Sequence, residues 1–459
     1  MSDTTTQSVL FPVLFSKPVH VAFDERTMSS DGGGLLLKAV DEQLGLTEAL
    51  AGCLRDARQA GKVKHSQKEA LRQRVFGIAL GYPDANDAGA LANDPIHKLM
   101  IGRDPIHGER LASQPTISRM ENSVGRAELL QMSKALTQTV LGRHKRRLGR
   151  KAKKTKIILD FDPTDDPTHG QQEFSFFHGY YDTYCYLPLV GTIQFGREKK
   201  QHLLCSVLRP GSACAHAGFK AIVGRILEQV RAFFPNARII VRLDGGFGAP
   251  EVLDFLEEAG VEFVVGLGNT KPLKRKAGKE MAEARRRFRA TGATQQVYGE
   301  TLHKTKKTWP HQRRVIFKAE VVIHPDRDPK NNMRFVVTNL RMTPKKVYQF
   351  YCQRGDAENR IKELKNDLAM DRTSCSRFLA NQFRVLMTAA AYVLMQEIQM
   401  KARHSDCANA QVSTIRNSLL KLAARVEVSV RRVVIHMAEQ FPGMPAWRRV
   451  ALASGGRVP

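Results

Sequence analysis

The segment "KIILDFD", residues 156–162, is an apolar run that ends in an acidic residue. Its β-branched and aromatic residues, followed by Pro, predict a buried strand that stops at the edge of a sheet. A second run of this kind, "ARIIVRLDGG" at residues 237–246, ends in Asp-Gly-Gly, and an amphipathic helical pattern occupies residues 217–234 between the two. Strands that alternate with helices in this way predict an α/β layered core.

The chain is strongly basic. Its 459 residues carry 72 Lys and Arg against 45 Asp and Glu, a formal net charge of +27. This excess indicates a polyanionic partner, and nucleic acid is the first candidate. A membrane surface is the alternative, but the most apolar stretch, residues 383–400, contains Arg384 and Glu397 and is predicted to be a buried helix. We therefore expect no membrane partner.

The cysteines and the N-terminal residues indicate a compartment. Seven cysteines are scattered along the chain without a C-x-x-C pair, which is typical of reduced thiols in a cytosolic protein. The first 15 residues lack the basic region and the long apolar run of a signal peptide. We expect a cytoplasmic protein.

The segments around the core differ in character. Helical patterns dominate the first part of the chain, and a basic stretch that is strand-like in its second half interrupts the core. We therefore predict a mostly helical N-terminal domain for DNA binding or oligomerisation at 1–142, a basic linker at 143–156, the two parts of the core at 157–267 and 334–405, an insertion subdomain at 268–333 and a C-terminal subdomain at 406–459.

Two segments are candidates for DNA contacts outside the core. In "LASQPTISRMENS", Ser113 can cap a helix that projects Thr116, Ser118 and Arg119 from its first turns, as in a helix-turn-helix reader; an ordinary capped helix is the alternative. The run at 143–156 holds nine Lys and Arg and no acid, so it is either a solvated linker or a phosphate-contacting one. Its candidate phosphate contacts are Arg146, Arg147, Lys153 and Lys154.

Three acids occupy positions where α/β proteins gather reactive groups. Asp162 and Asp244 end the two strands quoted above, and Glu358 lies on a predicted helix after the last core strand. Their oxygens suit hard cations such as Mg²⁺, and a pair of such ions can activate a water or a 3′-hydroxyl in phosphodiester chemistry. Each acid alone is more typical of a turn or a helix cap. Asp160 is the alternative first ligand, since it points to the same side of its strand as Asp162.

The predicted helix at residues 351–365, "YCQRGDAENRIKELK", carries polar residues at regular intervals. Tyr351, Arg354, Glu358 and Lys365 fall within roughly 60° of one helix face. An apolar stripe runs beside them. The alternative interpretation is a solvated face with charge pairs between neighbouring turns.

The spacing Y-x(2)-R-x(3)-E-x(6)-K of these four residues resembles the signature of bacterial insertion-sequence transposases with a DDE catalytic triad. Longer motifs resemble, more narrowly, the insertion-sequence family numbered 1380. They are "LDFDPTDDPTHG", "YYDTYCYLPL", "RLDGGFGAPE", "RGDAENRIKELK", "ALGYPDANDAGAL" and "LASQPTISRMEN". The resemblance covers nearly the whole chain.

The resemblance implies an RNase H-like catalytic core, interrupted by the basic, partly β insertion and preceded by a mostly helical N-terminal DNA-binding domain. In that core, Asp162, Asp244 and Glu358 would bind two Mg²⁺ ions, with Mn²⁺ as a substitute.

The resemblance also implies that Tyr351, Arg354 and Lys365 contact phosphates at the cleaved transposon end. In relatives of the wider class, the insertion helps to process a DNA hairpin, and Trp309 is the candidate for stacking on a flipped base. The alternative is a Trp that packs within a β-hairpin.

We therefore expect a DNA transposase that binds the terminal inverted repeats of its insertion sequence and catalyses Mg²⁺-dependent strand cleavage and strand transfer. Its partners would be double-stranded DNA, both transposon ends and target, and further copies of itself in a homodimer or higher oligomer. It would act at the bacterial nucleoid. The alternatives are a structure-specific DNA nuclease on the same fold and a catalytically inactive DNA-binding protein derived from a transposase.

Overall fold

A computed structural model describes residues 8–305, 308–324 and 327–458. The strands are β1 (Val9–Phe11), β2 (Val19–Val21), β3 (Met28–Ser29), β4 (Lys156–Pro163), β5 (Asp166–Pro167), β6 (Phe176–His178), β7 (Thr183–Tyr186), β8 (Leu189–Phe195), β9 (His202–Val207), β10 (Arg238–Leu243), β11 (Glu262–Leu267), β12 (Gln295–His303), β13 (Arg313–His324), β14 (Arg327–Thr338), β15 (Ala424–Val428) and β16 (Val433–Met437). The helices are α1 (Leu35–Leu44), α2 (Leu46–Ala51), α3 (Gln67–Leu80), α4 (Asp87–Ala90), α5 (Pro95–Ile101), α6 (Gln114–Ser123), α7 (Arg126–Leu148), α8 (Phe219–Phe233), α9 (Pro250–Glu258), α10 (Lys271–Lys276), α11 (Gly278–Thr291), α12 (Pro344–Cys352), α13 (Gly355–Lys362), α14 (Phe378–Lys401), α15 (Val412–Ile415) and α16 (Met444–Ala453).

The chain forms two compact units. The first contains the described residues up to Gln43, Arg58–Arg119, and those from Glu397 onward. The second contains Leu44–Ala57 and Met120–Gln396. The first unit therefore combines both ends of the chain, an association that the sequence pattern did not predict. The division of the chain into the six segments given above stays a prediction.

The second unit is built on an eight-stranded mixed sheet with the order β12-β13-β14-β11-β10-β4-β8-β9. The strands β4, β10 and β11 are parallel to one another, and the other neighbours in this sheet pair antiparallel. The predicted α/β class is thus confirmed, and the large sheet is mixed. Every residue of β8 is buried and so is nearly all of β4, which explains their continuous apolar character.

Helices cover this sheet through apolar faces. The helix α8 buries Phe219, Val223 and Val230, and the Phe219 ring meets Phe161 of β4 edge to face. The helices α7 and α8 pack together, and α7 also contacts β9. These contacts fix the central strands, so the acids at their ends have a rigid support.

The predicted insertion, residues 268–333, contains the helices α10 and α11, the strands β12 and β13, and the start of β14. Its strands continue the large sheet beyond β11. The helix α11 packs on them through a small apolar cluster that includes Met281, Ala284, Ala319 and Val321. The strand-like character predicted for its second half is therefore present.

The first unit joins its two chain ends through close backbone packing. Gly32 donates a backbone hydrogen bond to the Leu422 oxygen at 2.8 Å. A Cβ atom added at Gly33 would lie 1.8 Å from the Leu419 oxygen, so only glycine permits this approach. A three-stranded sheet with the order β16-β15-β3 also combines both ends.

The long helix α14 is apolar and 24 residues long, which would be enough to cross a membrane by length and composition alone. However, 83% of its most apolar window is buried inside the protein. This burial agrees with the predicted core helix.

Candidate active site

Two of the three predicted acids lie side by side at one edge of the large sheet. The parallel pairing of β4 with β10 places Phe161 beside Leu243, and Asp162 and Asp244 follow these residues. The side chain of Asp244 caps the short turn after β10, because its Oδ1 accepts a hydrogen bond from the Gly246 amide at 2.9 Å. The strand ends therefore present two carboxylates at the same edge.

The third acid is connected to the first by an arginine. Arg354 Nη1 donates to Asp162 Oδ2 at 2.7 Å, and Arg354 Nη2 lies 3.6 Å from Glu358 Oε1. The Asp162 side chain is only 12% exposed, whereas that of Glu358 is 57% exposed. Glu358 thus lies at the open side of the site, with the guanidinium between it and Asp162.

The pKa of Asp162 depends on Arg354 and on both other acids. Burial raises the pKa of Asp162 to about 6, Arg354 opposes this rise, and the charges of Asp244 and Glu358 add to it. Burial also raises the pKa of Tyr351, whose phenol is influenced by Arg354 and Asp244. Four of the predicted residues therefore surround Arg354 closely enough to affect each other's charge.

The donor set fits a divalent cation chemically, since hard cations prefer carboxylate oxygens. Within the residues that the structure describes, no three His, Cys, Asp or Glu side chains are gathered as a ready-made metal cluster. Arg354 supplies the positive charge between Asp162 and Glu358 instead. Arg354 engages one oxygen of Asp162, Oδ2, so a metal at these acids would share that carboxylate with Arg354 or replace it.

Asp160 has a different role. Its Oδ1 accepts from Arg242 Nε at 2.8 Å, and its Oδ2 accepts from Arg242 Nη2 at 2.7 Å and from Gln201 Nε2 at 2.9 Å. Both residues of this ion pair are almost completely buried. Because both oxygens of Asp160 are engaged, the geometry favours Asp162 over Asp160 as the first ligand.

The single predicted helix at residues 351–365 is interrupted, which corrects that prediction. The helix α12 ends at Cys352, α13 begins at Gly355, and a π-helical turn follows at Glu363–Asp367. Glycine near the junction weakens helix continuity. Arg354 lies at this junction and pairs with Asp162, and Lys365 Nζ reaches Asp165 Oδ1 at 3.0 Å.

Trp309 lies away from solvent. It is 6% exposed, its ring meets His303 edge to face, and the Arg313 guanidinium lies 5.2 Å from the ring centroid. This arrangement corresponds to the packing alternative, and it gives no support to the predicted stacking on a base.

The candidate DNA contacts outside the core are mostly accessible. Ser113 immediately precedes α6, as predicted, and its hydroxyl lies 3.3 Å from that of Thr116, which also accepts from Arg119 at 3.3 Å. Ser113 and Arg119 are exposed, and Ser118 is partly exposed on the same helix. These residues therefore lie at an accessible helix start.

The basic run at 143–156 is helical up to Lys154, and Lys156 begins β4. Arg146 and Arg147 lie in the last turn of α7, and Lys153 and Lys154 lie in a 3₁₀ segment, Gly149–Lys154. Arg146 and both lysines are exposed. Arg147 instead donates two hydrogen bonds to Glu198, at 2.7 and 2.8 Å.

Sequence reasoning missed Gly266 of β11. A Cβ atom there would lie 2.7 Å from the Gly245 nitrogen, 2.7 Å from Tyr351 Oη and 3.0 Å from the Asp244 carbonyl carbon. A glycine inside a strand, which is a usual sign of close backbone approach, was the signal available in "VEFVVGLG". Gly266 thus allows the Asp244 turn and Tyr351 to approach each other.

Two strand-end aspartates, a helix glutamate and a central arginine define a candidate site for metal-dependent phosphodiester chemistry. The family described as transposase DDE domain group 1 matches residues 11–453, so the chain belongs to this family. No curated protein matches the chain.

The family match confirms the predicted DDE transposase class, and with it a role in transposition and DNA recombination on a DNA substrate. DDE transposases generally use divalent metal ions. The assignment to the insertion-sequence family numbered 1380 remains a prediction.

Replacing Gly266 with Ala should slow DNA cleavage roughly 10- to 100-fold, since displacing reacting groups by about 1 Å can cost this much. The measurement is the cleavage rate at saturating DNA. Gly268→Ala is the matched control, because no atom lies within 4 Å of a Cβ at that position. Equal cleavage rates for the two variants would contradict the role assigned to Gly266.

Proposed function

We propose that the protein is a DNA transposase that binds the terminal inverted repeats of its own element and catalyses strand cleavage and strand transfer. The observation that carries the proposal is that Arg354 pairs with Asp162 and lies 3.6 Å from Glu358, while Asp244 ends the strand beside that of Asp162. The nucleic-acid partner also accords with the net charge of +27.

The core is proposed to be RNase H-like. The strand order β9-β8-β4-β10-β11 supports this, because β8 and β9 form an antiparallel meander with β4, and β10 and β11 follow parallel to β4. Among these five strands, β4 is the first in chain order and β10 is the fourth, and the two are neighbours. Their pairing brings Asp162 and Asp244 together.

Asp162, Asp244 and Glu358 are proposed to hold divalent ions, two Mg²⁺ with Mn²⁺ as a substitute. The chemistry that such ions supply is activation of the attacking water or 3′-hydroxyl and stabilisation of the leaving oxygen. Burial of Asp162 favours neutralisation of its carboxylate by a cation. Arg354 is the cation that pairs with this carboxylate in the structure.

Arg354 and Lys365 are proposed to move onto DNA phosphates when the site is loaded. Both are paired with carboxylates at the site, Arg354 with Asp162 and Lys365 with Asp165. A phosphate carries the same charge and accepts the same donors, so it can replace either carboxylate as a partner. Tyr351 would hydrogen-bond the same backbone from its place beside Gly266.

DNA contacts outside the core are proposed at the start of α6, through Ser113, Thr116, Ser118 and Arg119. The exposed Arg146, Lys153 and Lys154 would contact phosphates. The protein is proposed to pair the two element ends as a homodimer or higher oligomer and to act in the cytoplasm, at the nucleoid.

A structure-specific nuclease is the second candidate, since it would use the same acids and would differ in lacking strand transfer. A catalytically inactive DNA-binding protein is the third. The presence of Asp162, Asp244 and Glu358 in one region favours an active enzyme over it.

The test uses the wild-type protein and linear DNA that ends in the sequences flanking its own coding region, with Mg²⁺ and a supercoiled target plasmid. A transposase should cut at the repeat ends and join the freed 3′ ends to the plasmid, as seen on sequencing gels. Cleavage without joining would replace the proposal with a nuclease. Binding without cleavage would replace it with an inactive DNA-binding protein.

A further inference from the structure

An exposed group of aromatic rings lies in the chain segment that follows Asp162. It belongs to a small three-stranded sheet with the order β5-β7-β6, inserted between β4 and β8 of the second unit. The "aromatic face" consists of Phe177, Tyr180, Tyr181 and Tyr184. Tyr180 is 84% exposed, Tyr184 61% and Phe177 53%.

The rings of the aromatic face form two pairs. Phe177 and Tyr184 are cross-strand partners, with ring centroids 5.7 Å apart and edge to face. Tyr180 and Tyr181 are also edge to face, with centroids 4.9 Å apart. Edge-to-face contacts leave flat ring surfaces open to a further planar group.

Folding of the small sheet does not require these rings to be exposed. Its buried residues include Cys185 and Tyr186 of β7, and Tyr186 packs against Phe378. The segment at residues 169–184 contains no Val, Leu, Ile or Met, and its large exposed apolar side chains are all Phe or Tyr. A cluster of exposed aromatic rings of this kind indicates a binding surface.

The aromatic face borders the candidate active site. The charges of Asp165, Asp162 and Asp244 all act on the Tyr181 phenol, whose pKa is raised to about 12 mainly by burial. The backbone amide of Thr168 donates to the carbonyl oxygen of Tyr184 at 2.9 Å, so the small sheet is attached directly to the loop that follows Asp162.

The chemistry of this segment suits bases better than phosphates. It contains no Lys or Arg between residues 164 and 186. Several of its carboxylates are engaged within the protein: Asp165 with Lys365, Asp166 with Thr373, and Glu173 with the Phe378 amide. Every nucleobase has a planar face that stacks on aromatic rings, whatever its sequence.

We propose that the aromatic face stacks the unpaired bases of the DNA strand whose phosphodiester lies at the acids. This inference rests on the proposed function, because it takes the DNA at the acids as its ligand. The stacking residues would be Phe177, Tyr180 and Tyr184, which are exposed, whereas Trp309 is buried. A second copy of the chain is the competing occupant.

The experiment compares two DNA ligands and three variants of the full chain. One duplex is fully paired, and the other carries a short unpaired end with 2-aminopurine in it. The variants change both Tyr180 and Tyr184, to Ala, to Leu or to Phe. Leu keeps apolar volume without a planar ring, whereas Phe keeps the ring and loses only the hydroxyl.

Stacking predicts that the Ala and Leu variants lose roughly tenfold or more in affinity for the unpaired end and keep their affinity for the paired duplex. The Phe variant should bind both ligands like the wild type. In the wild type, the 2-aminopurine fluorescence should be quenched on binding, a readout that needs no variant.

Equal loss of affinity for both ligands, no loss for either, or an unquenched probe in the wild type would overturn the proposal. A change in oligomeric state of the Ala variant, measured by light scattering without DNA, together with unchanged DNA binding would assign the face to a second copy instead. Failure of strand cleavage with intact quenching would overturn the proposed function and leave base stacking standing.

Discussion

Replacing Glu358 with Gln should abolish DNA cleavage while DNA binding survives. The amide keeps the size of the side chain but loses the negative charge that the proposed site needs opposite Asp162. If about 4 kcal/mol of transition-state stabilisation is lost with it, the cleavage rate falls roughly 1,000-fold. Single-turnover cleavage of repeat-end DNA measures the rate, and a gel-shift titration of the same DNA measures the affinity.

Folding should be almost unaffected by this change. The Glu358 side chain is 57% exposed and lies 3.6 Å from Arg354. Surface substitutions of this kind usually change stability by less than about 0.5 kcal/mol. The thermal unfolding curve of the variant should therefore overlay that of the wild type, which separates a catalytic effect from a structural one.

Asp356→Asn is the matched control for this prediction. Asp356 lies on the same helix, two residues earlier, and its carboxylate is 3.8 Å from Arg360 rather than beside Arg354. This variant removes the same charge from α13 and should cleave DNA within about threefold of wild type, consistent with a surface ion pair. Cleavage by the Glu358 variant at a similar rate would refute its place in the triad.

The part of the fold that local pattern determines could be predicted from the sequence. The β-branched runs before Asp162 and Asp244 form buried neighbouring strands, and the amphipathic run between them forms α8. A strand buried on both faces must be apolar, and its first polar residue marks its exit from the sheet. The two aspartates are found side by side for this reason.

What the sequence could not provide depends on contacts between distant residues. The ion pair of Arg242 with Asp160 and the hydrogen bond between Gly32 and Leu422 join residues far apart in the chain. Trp309 looked like a ligand-binding residue because of its basic surroundings, and Arg313 instead covers its ring. Composition describes a segment, but only the fold determines which side chains are exposed.

The break between α12 and α13 also escaped sequence reasoning. The periodicity of residues 351–365 fits one continuous helix, and a single Gly355 is a weak signal against it. The junction is stabilised by tertiary contacts instead, since Arg354 pairs with Asp162 of β4. Tertiary interactions of this kind routinely override helix propensity.

Of the single changes that we predict in the second unit, Arg242→Met should be the most destabilising. The Arg242 guanidinium binds Asp160 through two hydrogen bonds, donates to the Phe350 oxygen at 3.0 Å and to Gln194 at 3.3 Å. It also lies 4.9 Å from the Phe350 ring centroid. Three segments therefore meet at one fully buried cation: β4 before Asp162, β10 before Asp244, and α12 before Tyr351.

Removing one partner of a buried ion pair leaves the other charge without compensation, which costs about 3–5 kcal/mol. For a unit of this size, such a loss lowers the melting temperature by roughly 10 °C. Differential scanning calorimetry of the DNA-free protein measures the shift. Cleavage should be lost together with stability, because the segments that carry the acids are no longer held in register.

The double variant Asp160→Leu/Arg242→Met distinguishes an ion-pair effect from simple loss of packing. Removing both charges leaves no uncompensated charge, so the double variant should be more stable than the Arg242 variant. Its loss of unfolding free energy should be smaller, by about 2 kcal/mol, than the sum of the losses of the two single variants. It should not regain full stability, because Gln201, Gln194 and the Phe350 oxygen lose a partner. Additive destabilisation in this cycle, or a melting temperature of the Arg242 variant equal to that of the wild type, would show that the pair does not support the site.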